Sequence, residues 1–147
     1  MTTAFVNKVR TKNDKLGVQS RRYRVIKARS TARVLAQVNR LTRWGWVLEN
    51  VGGITPRATI TKTEIITDDG EMAEVLFPNR YDAEQKKYVS VYYKYATKWA
   101  FTQEKLLSHT NNMLSRGYEV SFNVPVVFGY RTVYVRAYVK DTAEDLS

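Results

Sequence analysis

The chain reads as an α+β protein: an antiparallel sheet with two helices on one face, arranged as two tandem β-α-β-β units behind a basic N-terminal arm. Three observations predict this. Apolar residues within 34–41 and 106–114 recur at helical spacing, and each run stops at a glycine. The flanking segments are rich in Val, Ile, Thr and Tyr, with turn residues between them. Finally, Arg43-Trp44-Gly45-Trp46 aligns with Ser115-Arg116-Gly117-Tyr118. In both, a Leu-containing helix stops at Gly and an aromatic residue opens a strand, which suggests a repeat of about seventy residues.

Residues 1–17 carry five charges, lack clear periodicity and close on Gly17, so a flexible basic arm is expected there. The first unit covers 18–77. Its first strand, 18–28, sets Tyr23, Val25 and Ile26 among cations. Ser30 or Thr31 caps a helix whose stripe is Val34, Leu35, Val38 and Leu41, and Gly45 ends it. Residues 46–51 form a strand, Gly52, Gly53 and Pro56 a turn, and 57–67 a Thr- and Ile-rich strand. Asp68-Asp69-Gly70 is a hairpin signal, with 71–77 as the return strand.

A polar loop, 78–87, separates the units. The second unit, 88–140, opens with a long strand over 88–101. Thr102 caps a helix bearing Leu106, Leu107, Met113 and Leu114, and strands follow at 118–124 and 130–140 around a turn at Pro125 and Gly129. Residues 141–147 form an acidic tail. At 147 residues and 44% hydrophobic, the chain suits one compact domain.

The absence of cysteine excludes a disulfide scaffold, a thiolate nucleophile and a Cys-ligated metal. His109 stands alone as the sole histidine. No G-x-x-x-x-G-K-S/T phosphate loop, G-x-G-x-x-G fingerprint, H-E-x-x-H or zinc-finger spacing occurs. The carboxylates Asp68, Asp69, Glu71 and Glu74 read as a solvated hairpin. We therefore expect no catalytic residue, cofactor or metal. No apolar run approaches the ~20 residues of a membrane span, and the first residues lack the apolar stretch of a signal peptide. No membrane contact and a cytoplasmic or virion-associated location are expected.

The charge distribution carries the functional expectation. The net charge is +10, and residues 1–43 contain twelve cations against one acid, Asp14. Such a one-sided basic footprint suits a polyanion. Arg21, Arg22, Arg24, Lys27 and Arg29 lie in the first strand region, and Arg33, Arg40 and Arg43 on the first helix. Arg33 sits in the first turn, where the helix dipole disfavours a cation, so phosphate contact competes with pairing to Asp68, Asp69, Asp82 or Glu84 as its reason.

The strands 88–101 and 130–140 add a second feature. Val89, Val91, Tyr93, Tyr95, Thr97, Trp99 and Phe101, with Val133, Val135, Ala137 and Val139, point to the core by alternation. Tyr92, Lys94 and Lys98, with Tyr134, Arg136 and Tyr138, point outward. Rings interleaved with cations suit single-stranded nucleic acid, since bases stack on rings while cations meet phosphate. They also suit an oligomer interface. The expected function is nucleic-acid binding of low sequence specificity through these fourteen residues. The alternatives are a structural or assembly protein, viral or from a mobile element, that self-associates through the Tyr face, and a small inhibitor of a partner protein. The partner is nucleic acid or an acidic protein surface.

Overall fold

The computed structural model describes residues 8–11, 15–52 and 55–140. Parts of the expected arm (1–7 and 12–14), Gly53 of the expected turn and the acidic tail 141–147 lie outside the described residues. The elements run β1 (Lys8–Arg10), β2 (Leu16–Lys27), α1 (Thr31–Thr42), β3 (Val47–Gly52), β4 (Arg57–Thr67), β5 (Met72–Leu76), β6 (Asn79–Asp82), β7 (Lys87–Ala100), α2 (Gln103–Ser115), β8 (Glu119–Val124) and β9 (Tyr130–Val139). The protein is α+β, and all its strand pairings are antiparallel.

Two sheets form, where the alternation pattern predicted one. The first has the order β1-β2-β4-β3, with β5 also pairing β4. The second has the order β6-β7-β9-β8. Two stretches expected to be irregular are strands: Lys8–Arg10 pairs with Leu16–Val18, and Asn79–Asp82 pairs with Lys87–Ser90. Both are short hairpin arms whose pairing residues carry no apolar alternation of their own.

Each helix begins on a side-chain cap. Ser30, rather than Thr31, accepts the Arg33 N–H at 3.2 Å, and Thr102 accepts the Lys105 N–H at 3.2 Å. Each ends on a left-handed glycine, Gly45 at φ 97° and Gly117 at φ 87°, a conformation that costs a side-chain-bearing residue steric strain.

The expected placement of both helices on one sheet face is not what forms. α1 is buried from two sides. The first sheet gives its core Ile26, Leu48, Val51, Ala58 and Ile60, and the second gives Tyr95, Val124 and Val133. α2 instead packs Met113 on Tyr118, Tyr134 and Ala96. Tyr95 and Ala96 alternate along β7, as do Val133 and Tyr134 along β9, so the two helices lie on opposite faces of the second sheet. The second sheet carries Tyr95 and Val133 on one face and Ala96 and Tyr134 on the other, so apolar surface on each face needs a cover.

Asn39 of α1 locks the sheets together. Its side chain donates to the Tyr95 carbonyl at 2.8 Å and accepts the Tyr95 N–H at 2.8 Å. The Tyr95 hydroxyl accepts the Leu48 N–H of β3 at 3.1 Å, and burial pushes its phenol pKa upward. No helix among the described residues is long and apolar enough to cross a membrane.

Candidate nucleic-acid interface

The fourteen predicted residues do not form one surface. Five of them meet beside the free edge of β7. Register sets Tyr92 opposite Tyr138 and Lys94 opposite Arg136. The two tyrosine rings stack at 5.6 Å with 18° between planes. Arg43, the C-cap of α1, lays its guanidinium 5.3 Å from the Tyr92 ring centroid, and Arg136 lies 5.2 Å from that of Tyr138. The result is a ladder of cation, ring, ring and cation, with exposed Lys94 alongside.

Lys94 and Arg136 are like charges directly opposite each other, which costs stability. Neither forms an ion pair with a carboxylate among the described residues. Arg136 gives one N–H to the Arg116 carbonyl at 2.9 Å. Asn39, Thr42 and Tyr93, with Arg43, Tyr92, Lys94 and Tyr138 of the ladder, line a cavity of about 310 Å³ here. The site can therefore take a flat ring against tyrosine and an anion against its cations.

The first sheet holds a matching arrangement with the opposite outcome. Arg22 lies opposite Lys62, again two cations face to face. There, nearly buried Glu64 takes both, Arg22 at 3.2 Å and Lys62 at 3.1 Å. Burial alone would raise the Glu64 pKa; the two cations outweigh it and hold the carboxyl below its ordinary value.

The other predicted residues divide. Arg21, Arg24, Lys27, Arg29, Arg33 and Arg40 are exposed on β2, on α1 or just before it. Lys98 is half-buried, opposite Thr132. Arg33 forms no ion pair with a described acid, and Asp68 pairs with Lys8 instead. Tyr134 corrects the sequence reading. It is fully buried under α2 and shares a 2.7 Å hydrogen bond with Thr110, so no base can reach it. Alternation assigned it the outward face correctly, but could not show that α2 covers that face.

Alternation assigned Trp99, Phe101 and Val139 to the core face, but β7 ends at Ala100, Phe101 and Val139 are exposed, and Trp99 and Phe101 join a second aromatic group. Trp99, Phe101 and Phe128 cluster with centroids 4.4 to 6.1 Å apart, and Phe101 and Phe128 are exposed. Arg29 and Arg131 line the adjoining cavity of about 330 Å³. The signal was the apolar run Val124–Phe128, which was read only as a turn. No protein-family model, curated protein or solved structure matches the chain.

Proposed function

We propose that the protein binds nucleic acid with low sequence specificity, using the ladder of Arg43, Tyr92, Tyr138, Arg136 and Lys94 to stack bases and neutralise phosphate. One observation carries this reading: the cation pair that Glu64 neutralises on the first sheet recurs on the second with Tyr138 where the acid would be. Two opposed cations with no acid among the described residues, beside two stacked rings, are complementary to a single strand. The exposed arginines of β2 and α1 extend the positive field and supply affinity without sequence readout.

We also infer that the halves are duplicates of one unit. Supporting this, a constant interval separates Ser30 from Thr102, Gly45 from Gly117, and Leu48 from Val120, where each bulge begins. The strand before each helix, β2 or β7, pairs β4 or β9, which also pairs the strand after the helix; β5 is an addition to the first half. Each helix covers an equivalent residue of its own sheet, Ile60 under α1 and Tyr134 under α2.

The test rebuilds the first sheet's arrangement on the second. Tyr138→Glu supplies the missing acid and should abolish binding to single-stranded oligonucleotides while leaving the fold intact by circular dichroism. Tyr92→Ala should weaken binding by the worth of one stacked base, about 1–3 kcal/mol, with the salt slope unchanged. Arg136→Gln should make the slope of log K against log salt shallower by about 0.7. Absence of binding to any nucleic acid at low salt, or parental binding by Tyr138→Glu, would overturn the reading.

A further inference from the structure

We propose that the protein assembles head to tail, the α2–β8 face of one copy docking on the open edge and outer face of β2 in the next. This repeats, between molecules, the contact that already joins the two halves within one chain. It rests on the equivalence of the halves and not on nucleic-acid binding.

The donor face is visible in the burial of equivalent residues. On α1, Leu35, Asn39 and Thr42 form one stripe by i, i+4, i+7 spacing. Leu35 is 2% exposed, Thr42 1%, and Leu48 on β3 5%, and Leu35 and Leu48 belong to the core that residues of both halves form. Their equivalents on the second half are Leu107 at 60%, Leu114 at 49% and Val120 at 50%. Asn111, the equivalent of Asn39, is exposed among them. The second half thus carries the same docking stripe, with leucine even in place of Thr42, and nothing among the described residues covers it. Exposed apolar groups in a continuous stripe mark an interaction surface.

The acceptor is equally specific. Tyr95, which α1 and β3 grip, has Tyr23 as its equivalent on β2. Tyr23 is 62% exposed and Val25 beside it 52%, against 4% for Tyr95. The Ala28 N–H donates to the Pro56 carbonyl on the β4 side, and β2 runs opposite β4 without a bulge. By alternation, Tyr23 turns its own N–H and C=O to the other edge. β1 covers that edge only at Leu16–Val18. Asn111 of a second copy can therefore bond the Tyr23 backbone as Asn39 bonds that of Tyr95. The Tyr23 hydroxyl can accept the Val120 N–H as the Tyr95 hydroxyl accepts that of Leu48.

The contact is heterologous: a different patch contributes on each side, so assembly continues until a ring closes or a filament grows. It is weaker than the internal joint. Gln19, Arg21 and Thr59 stand on the first sheet where the second has Val91, Tyr93 and Val133, and Thr61, in the place of Val135, is already buried within the chain, so less apolar surface is buried.

Light scattering on the nuclease-treated full chain, in high salt so that nucleic acid bridges nothing, tests this. The parent's mass should rise with concentration beyond that of a dimer. Leu107→Asp and Tyr23→Asp should each remain monomeric, since each loses one half of the contact. Mixed in equal amounts, they retain one intact pairing and should stop at a heterodimer. If either variant melts early, Asn111→Arg and Tyr23→Ser replace them with the same expectation. A parent that stays monomeric, a parent that stops at a symmetric dimer, or a mixture that stays monomeric overturns the proposal.

Discussion

The two halves of this chain place similar elements in different surroundings, and the contrast separates what holds the fold from what is free to act. α1 lies in the core, gripped by both sheets, while α2 covers one face of the second sheet and shows its other side to solvent. On the sheets, Arg22 and Lys62 face each other across an acid, and Lys94 and Arg136 face each other across none among the described residues. The lesson is that equivalent positions cannot be assigned equivalent roles from their residue types. Leu35 and Leu107 are the same residue at the same place in a helix, and among the described residues only Leu35 is buried.

Matched substitutions turn that contrast into measurements. The largest difference is expected at this leucine pair. Leu35→Ala opens a cavity in the core and should cost about 3 kcal/mol. Leu107→Ala removes an exposed side chain and should cost under about 0.5 kcal/mol. Urea denaturation of both variants reads the difference directly, and equal losses would mean that α2 is as deeply packed as α1.

Next come the helix-ending glycines. A Cβ at Gly45 would collide with the Val75 side chain, whereas at Gly117 the nearest atoms belong to the flexible Arg136 side chain at 3.4 Å. Both substitutions pay the left-handed penalty of about 1 kcal/mol. Gly45→Ala adds an overpacking cost of at least about 1 kcal/mol, so its melting temperature should fall further than that of Gly117→Ala. A gap of about 2 kcal/mol is also expected at the asparagine pair, because Asn39→Ala strands the Tyr95 N–H and C=O. Asn111→Ala should leave the stability of the isolated chain unchanged in the same denaturation assay.

Local features were legible in the sequence because they depend on nearby residues. Both helix caps, both terminal glycines and the main strands follow from spacing and turn chemistry. The division into two sheets was not legible. It depends on α1 presenting a stripe to each side, and Asn39 and Thr42, polar members of the second stripe, look like surface residues in isolation. The short strands β1 and β6 were missed for the same kind of reason: their pairing comes from a neighbour and not from their own pattern. At the site, Tyr92, Lys94, Arg136 and Tyr138 were found because alternation places them on one face. That Arg43 joins them required knowing that α1 ends beside the edge of β7. Glu64 was overlooked because an acid in a Thr-rich strand signals nothing until two cations are brought to it.

The smallest expected effect is a pH dependence, and it follows from that same acid. Arg22 and Lys62 hold the Glu64 carboxyl below its ordinary value of 4.5 against the opposing pull of burial. A carboxylate whose pKa is depressed by folding stabilises the native state above its unfolded pKa, and the stabilisation fades as pH falls through the folded value. The parent should therefore lose stability in the acid range just below 4.5. Glu64→Gln should be less stable than the parent at neutral pH, because it leaves the cation pair opposed without an anion. The two should converge under acid, where Glu64 is protonated and resembles the amide. The second sheet gives the internal control. Its cation pair has no acid among the described residues, so Tyr138→Gln should shift stability by the same amount at both pH values. Thermal melts of the three proteins at neutral and acid pH make the comparison. A Glu64→Gln deficit that persists undiminished in acid would show that packing, and not charge, holds the first pair together.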